Sequence, residues 1–338
     1  MPEVSAILRA GHVPVFAAVE EIAYRNGVAV ARDNSRLTVT SPLGSVHFTA
    51  EGQATHLRFE AITPADLQVL RDRYAERFEQ LGVTNLLDWQ AGSAGVPLNQ
   101  MLARVVRCER ISPNFARLRL EGDFSAFAQP GAGLHFRLLF SRVGAEWPYL
   151  DASGIMQWPN GIGDWHRPPY TVRALDPAAQ WMDVDIVVHP GGRVTDWCGT
   201  VAPGNEIALH GPGGNRQPKA GWLGLAGDET ALPVILRMVE NAPAGTAGHA
   251  IVWLRDLADA QPVETASAIR MEWRAAEILQ DPVLLLAEFH PPAADRHLFF
   301  AGERELAGRA RQWFRENGYS GGEAKAAAYW TDGWVPPW

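Results

Sequence analysis

A chain of 338 residues is too long for one small module and fits two or three domains of about 150 residues each. With 47% hydrophobic and 20% charged residues it lies outside the composition of disordered chains and can bury several cores. The net charge is −8, and Lys219 and Lys325 are the only lysines, which argues against nucleic-acid binding through phosphate contacts.

Residues 1–27 interrupt their apolar positions with Arg9, His12, Glu20 and Glu21, unlike a secretory leader. No run approaches the roughly 18 apolar residues of a membrane span. The expectation is a cytoplasmic chain without stable membrane insertion. Cys108 and Cys198 have neither metal-type spacing nor a disulfide framework, so each is expected as a small buried residue.

In chain order, residues 1–92 read as an α+β domain. Val4, Ala6 and Leu8 alternate as a strand, and Val15, Phe16, Val19, Ile22 and Ala23 share a helical face that Asn26-Gly27 ends. Short strands are predicted at 37–39, 46–48 and 57–59. A second helix opens at Thr63-Pro64 and carries Leu67, Leu70, Tyr74, Phe78 and Leu81 on one face before Gly82. The order βαβββα predicts one sheet with helices on one face. The small residues of 90–95 mark a linker.

Strand signals dominate residues 100–215, at 102–108, 115–120, 135–140, 170–175, 182–189 and 206–210, and predict a small antiparallel β-barrel. An insert at 141–167, rich in Trp, Pro and Gly, is too long for a hairpin and reads as a lid or docking surface. From 220 to 338 strand and helix alternate: strands at 222–226, 250–254 and 298–301, helices at 229–240 and 303–317, and a last strand ending at Tyr329-Trp330. This predicts a parallel α/β domain.

The barrel segment Arg167-Pro-Pro-Tyr170-Thr171-Val172-Arg173 gathers two guanidiniums, a flat ring and a hydroxyl; alternation puts Thr171 and Arg173 on one face. His189-Pro-Gly-Gly192-Arg-Val194-Thr195 places glycines and a hydroxyl at a helix start, the makings of an anion nest. The α/β part lacks a GxGxxG fingerprint and has Gly227-Asp228-Glu229-Thr230 after its first strand, where the acidic groups would repel a phosphate.

These segments resemble the siderophore-interacting protein family of flavin-dependent ferric-siderophore reductases, related to vibriobactin-utilisation proteins. The resemblance rests on Tyr170-Thr171-Val-Arg173, on His189 with Gly192 to Trp197, on Pro203-Gly204 leading to Gly211–Gly214, and on GDETALP at 227–233. It also includes Ala301-Gly302-Glu303 and Tyr329-Trp330. It implies a ferredoxin-reductase-like pair, an FAD-binding barrel followed by an NAD(P)H-binding α/β domain. Residues 1–92 resemble, more weakly, a short bacterial domain of unknown function.

The family implies that Tyr170 and Thr171 touch the isoalloxazine, with Val172 and His189 beside them, and that Arg173, Gly192, Val194 and Thr195 hold the FAD phosphates. Gly227, Asp228, Glu229, Thr230, Gly302 and Glu303 would line the nicotinamide side, with Tyr329 and Trp330 near the flavin face. The family's flavin-site arginine stands two before the tyrosine, where this chain has Pro168. Arg167 is one place further back, so alternation points it to the other face unless the Pro-Pro pair bulges. Arg255, beside Asp256, stands where a 2′-phosphate would fall: arginine favours NADPH, aspartate favours NADH.

The implied activity is reduction of ferric siderophores, which needs neither acid nor nucleophile. No Ser/His/Asp triad or metal-ligand cluster is evident, and His166, His189 and His210 read as structural. An anionic substrate would need a local basic patch, for which Arg104, Arg107, Arg110, Arg137 and Arg142 are candidates. An electron-carrier protein is admitted as a further partner. The alternatives are a flavin reductase with another acceptor, such as a quinone, and a non-catalytic binding or regulatory protein that has lost FAD.

Overall fold

The computed structural model describes residues 2–25, 28–90, 94–142, 144, 146–276 and 281–333, without the side chain of Arg25. Asn26-Gly27 and residues 91–93 of the 90–95 linker therefore lie outside the described residues. Two compact units form, one from 1–100 with 140–166, the other from 101–139 with 167–337.

The first unit begins β1 (Glu3–Leu8), α1 (His12–Arg25), β2 (Ala29–Arg32), β3 (Arg36–Ser41), β4 (Gly44–Glu51), β5 (Ala54–Ala61), α2 (Pro64–Gln80) and β6 (Leu87–Trp89). The sheet is antiparallel in the order β2-β3-β4-β5-β1-β6. Alternation buries Val4, Ala6, Leu37, Val39, Val46, Phe48, Leu57 and Phe59 against Phe16 of α1 and Leu70, Tyr74 and Phe78 of α2, so both helices cover one face as expected. The edge strands β2 and β6 escape sequence reading because they are short and largely unburied. Thr63 caps α2, its hydroxyl accepting from the Asp66 amide at 3.0 Å.

The second unit opens with β7 (Gln100–Ser112), β8 (Phe115–Glu121) and β9 (Gly133–Ser141). The insert then returns to the first unit as β10 (Tyr149–Leu150), β11 (Met156–Gln157) and β12 (Trp165–His166), the last pairing with Phe140 and Ser141. Within that unit the insert is anchored by pairing of Gly95 with Leu150, by the Gln100 amide donating to the Pro148 carbonyl at 2.9 Å, and by Arg71 donating to the Ser153 carbonyl.

Back in the second unit come β13 (Pro169–Thr171), β14 (Ala174–Asp176), β15 (Trp181–Val187), α3 (Arg193–Cys198) and β16 (Glu206–Arg216). The strand path runs β13-β9-β16-β7-β8-β15-β14. Its two ends are consecutive in the chain. The Val172 amide donates to Leu134 of β9 and the Arg173 amide to Asp183 of β15, so the sheet closes on itself. The single strand expected at 170–175 is thus two strands, because the chain changes partner at this closure.

The α/β part contains β17 (Trp222–Gly227), α4 (Leu232–Glu240), β18 (Ala247–Leu254), β19 (Ala268–Ala275), α5 (Pro282–Ala287), β20 (Arg296–Glu303), α6 (Arg304–Glu316) and β21 (Ala324–Trp330). All pairs are parallel, in the order β19-β18-β17-β20-β21. The order reverses at β17, which makes the carboxyl ends of β17 and β20 the topological switch point where such sheets bind ligands. Helix α4 buries every residue but Arg237 and Glu240 because it is covered twice, by Leu225, Val252 and Phe299 of the sheet and by Phe115 and Leu134 of the barrel.

Candidate functional site

The switch point holds the GDET segment. A Cβ on Gly227 would lie 2.4 Å from the Ala301 carbonyl oxygen and 2.5 Å from the Ala231 Cβ, so only glycine lets β17 end against β20 and the turn into α4. Asp228 follows, with 4% of its surface exposed. Its Oδ1 accepts from the Thr230 amide at 2.9 Å and the Thr230 hydroxyl at 2.5 Å; its Oδ2 accepts from Trp330 Nε1 at 2.7 Å and the Glu303 amide at 3.2 Å. Burial raises its pKa, and these donors oppose the rise. A Cβ on Gly302 would stand 2.6 Å from Oδ2, so that glycine leaves room for the carboxylate.

The Asp228 carboxylate is occupied in tying the ends of β17, β20 and β21 together. Glu229 pairs with Arg255, and the Asp256 carboxylate accepts from the Ala258 amide at 2.9 Å. Glu303 caps α6, accepting from the Leu306 amide at 3.2 Å.

On the barrel side, Pro169, Tyr170 and Thr171 pair with Arg137, Phe136 and His135, and the Leu138 amide donates to the Pro168 carbonyl at 3.2 Å. The register is continuous, so the Pro-Pro pair does not bulge. Arg167, Pro169 and Thr171 therefore share one face with His135 and Arg137, and Tyr170 faces the other way. Arg137 Nη1 donates to the Arg167 carbonyl at 2.6 Å. His210, opposite Arg137 on β16, has its pKa lowered to about 3 by burial and then by the Arg167 and Arg137 guanidiniums. Of the arginines expected to build a basic patch, Arg137 thus stands here with Arg167; Arg107 is instead paired with Glu109 at 2.9 Å, and Arg142 belongs to the first unit.

Arg173 is engaged by carboxylates. Its guanidinium clasps Glu240 of α4 at 2.6 and 2.8 Å and approaches Asp185 at 3.8 Å, with 11% of the side chain exposed. Asp185, fully buried, also accepts from Arg117 at 2.7 and 2.9 Å and from Gln261 at 2.9 Å. This network locks the barrel to the α/β sheet, together with Asp259, which accepts from Ser112 and Asn114 at 2.6 to 2.8 Å.

The loop before α3 forms the expected turn. Gly191 has φ +75°, the Gly192 amide donates to the His189 carbonyl at 3.2 Å, and the His189 amide donates to the Thr195 hydroxyl at 3.1 Å. A Cβ on Gly192 would meet the Thr195 hydroxyl at 2.7 Å and the His189 ring at 2.9 Å. Val172 and Val194 are buried supports. Tyr170 is half-buried, and burial raises its pKa.

One residue that joins the two halves went unread in the sequence. His135 on β9 meets the Thr171 hydroxyl through Nδ1 at 3.2 Å and the Tyr329 hydroxyl through Nε2 at 3.2 Å. Burial lowers its pKa to about 4, with Lys325 and Arg237 adding to the fall. The neutral ring donates at one nitrogen and accepts at the other, so it gives the two hydroxyls opposite roles. The signal was present: His135 and Arg137 alternate with buried Leu134, Phe136 and Leu138, marking a polar outer face on a strand.

Residues 104–216 match the siderophore-interacting FAD-binding domain, and 220–333 match the siderophore-interacting protein domain. The chain is 31% identical over 250 residues to ferric vibriobactin reductase ViuB of Vibrio cholerae, covering 68% of this chain and 88% of that one. It is 29% identical over 238 residues to an NADPH-dependent ferric-chelate reductase of Escherichia coli, covering 67% and 91%. Among solved structures, a siderophore utilization protein from T. fusca aligns with TM-score 0.61 and 25% identity, over 72% of this chain and 96% of that one. The siderophore-interacting protein SipS of Aeromonas hydrophila aligns with TM-score 0.55 and 23% identity, over 69% and 98%.

Proposed function

This chain belongs to the siderophore-interacting protein family, and on that premise we propose that it is a cytoplasmic, NADPH-dependent reductase of ferric siderophores that works through FAD. The residues fit such a cofactor. The Gly191-Gly192 turn packs so closely on Thr195 and His189 that it admits no Cβ at Gly192, Thr171 presents a hydroxyl on the barrel face, and Arg137 and Arg167 supply cations beside it. When bound, FAD supplies the conversion of a two-electron donor into one-electron reductions of Fe(III). Fe(II) is held less tightly by hard oxygen donors, so reduction frees the metal.

The chain's own part is to position and to shield. The Thr171–His135–Tyr329 sequence of hydrogen bonds carries the reading, because it joins the strand expected to touch the flavin to the sheet end expected to hold the nicotinamide. Trp330, fixed through Asp228, stands beside it. NADPH is favoured over NADH because a relative of this chain is an NADPH-dependent ferric-chelate reductase; Asp256 is committed to its own turn, and Arg255, paired with Glu229, keeps 44% of its side chain exposed just beyond β18.

The test is direct. The purified protein should be yellow or take up FAD, bleach anaerobically with NADPH, and recover colour on addition of a ferric siderophore as an Fe(II) trap develops. A colourless protein that takes up no FAD overturns the flavoenzyme reading. Bleaching without Fe(II) release from any ferric siderophore points to another acceptor.

A further inference from the structure

Glu229 and Arg255 form an ion pair at the carboxyl ends of the first two strands of the parallel sheet. Gly227 of β17 is paired with Val252 of β18, so Glu229 and Arg255 lie two and three positions beyond neighbouring points of the sheet. Arg255 Nε donates to Glu229 Oε1. Glu229 opens the single helical turn that Asp228 caps, and 14% of its side chain is exposed. The carboxylate is therefore held by the turn, and the more exposed guanidinium comes to it. Burial raises the Glu229 pKa, and Arg255 opposes the rise.

In parallel sheets that bind a dinucleotide at the switch point, the side chain beyond the second strand meets the adenosine ribose. A carboxylate there accepts from the 2′-hydroxyl of NADH, and an arginine accommodates the 2′-phosphate of NADPH. This chain places one of each in contact. Asp256, the carboxylate next to Arg255 in the chain, accepts instead from the Ala258 amide, and Glu229 is the one that reaches the guanidinium. A 2′-phosphate drawn to Arg255 thus meets a cation already neutralised, beside a fixed anion that repels it.

We propose that Glu229 sets the nucleotide preference of this chain: by engaging Arg255 it weakens recognition of the 2′-phosphate while offering a carboxylate to the 2′-hydroxyl, so NADPH is preferred only modestly and NADH also serves as hydride donor. This deepens the NADPH-dependent function proposed above and rests on it. Toward the 2′-phosphate, Glu229 is a positioning residue that acts through Arg255. Its replacement changes the ratio of the two affinities, whereas a loss of packing acts on both nucleotides alike.

The experiment measures equilibrium binding of 2′,5′-ADP and 5′-AMP, which differ only in the 2′-phosphate, to the full chain with and without added FAD. The wild-type chain should bind 2′,5′-ADP the more tightly, by less than about 30-fold. Glu229→Gln, which keeps the shape and an acceptor oxygen, should widen that ratio about fivefold or more, chiefly through tighter 2′,5′-ADP. Arg255→Leu, at a half-exposed position, should bring the ratio to about one or below. In turnover of the FAD-loaded protein, Glu229→Gln should lower the KM for NADPH and leave the KM for NADH within about twofold. A wild-type ratio above the stated limit overturns the proposal, and so does failure to bind either nucleotide. A ratio that Glu229→Gln leaves unchanged or narrows, or that Arg255→Leu preserves, also overturns it. Binding of these nucleotides needs neither flavin nor iron. A chain that shows the shifts but takes up no FAD keeps the nucleotide preference and refutes the flavoenzyme reading, whereas a chain that bleaches with NADPH but shows no shift refutes only the role of Glu229.

Discussion

Replacing Arg173 by methionine separates a clasp between barrel and sheet from a phosphate ligand. The guanidinium reaches Glu240 through two bonds of 2.6 and 2.8 Å, with 11% and 24% of the two side chains exposed. Breaking a fully buried pair costs about 3–5 kcal/mol, and the partial exposure of Glu240 reduces this to about 2–3 kcal/mol. Asp185 adds little, since Arg117 and Gln261 still hold it. The urea midpoint of the second unit should fall accordingly. Glu240→Gln should cost a similar amount, and the double variant less than the sum, with a coupling of about 1–3 kcal/mol. FAD affinity, followed by quenching of flavin fluorescence, should stay within about threefold, equivalent to less than 1 kcal/mol. A drop in affinity of about 30-fold or more with an unchanged urea midpoint would refute the clasp and return Arg173 to the phosphate.

His135 makes stability pH-dependent with a definite sign. Its folded pKa of about 4 lies below the ordinary 6.5, so its contribution is complete above pH 6.5 and is lost as pH falls towards 4. The loss is at most about 3 kcal/mol, and His135→Gln should remove that share of the acid sensitivity in urea titrations, leaving the share of His210. Gly192→Ala should weaken FAD binding about tenfold or more, because the new methyl meets Thr195 and the His189 ring within 2.9 Å; unchanged affinity would mean the turn does not approach the cofactor. Gly302→Ala should raise the KM for NADPH and lower stability by about 1–3 kcal/mol, since its methyl displaces the Asp228 carboxylate that holds Trp330.

Much of the site was legible because glycine, hydroxyl and aromatic positions report backbone geometry directly. Gly192 and Gly227 occupy places where a Cβ would clash, and Tyr329-Trp330 closes the last strand of the sheet. Less legible were the charged side chains. The residue type of Arg173 suits a phosphate and a carboxylate equally well, and only the fold brings Glu240, 67 residues away, to its guanidinium. Sequence shows the charge of Asp228 and not the donors that surround it, which make it a tie between strand ends. Cys108 and Cys198, expected as buried, are both half-buried, and one extra residue in β7 decides which face Cys108 takes.

The displaced arginine follows the same logic with the opposite outcome. Period-two alternation predicted that Arg167 would face away from Tyr170, and the unbroken pairing of Pro169 with Arg137 and Pro168 with Leu138 keeps it there. That face is the one carrying Thr171 and His135. A shift of one residue along a strand therefore moves the cation from the ring side of Tyr170 to the hydroxyl side of Thr171, where Arg137 already stands, and the positive charge near His210 is built by two adjacent strands instead of one. This chain thus concentrates positive charge on the face that carries the Thr171–His135–Tyr329 hydrogen bonds between barrel and α/β sheet.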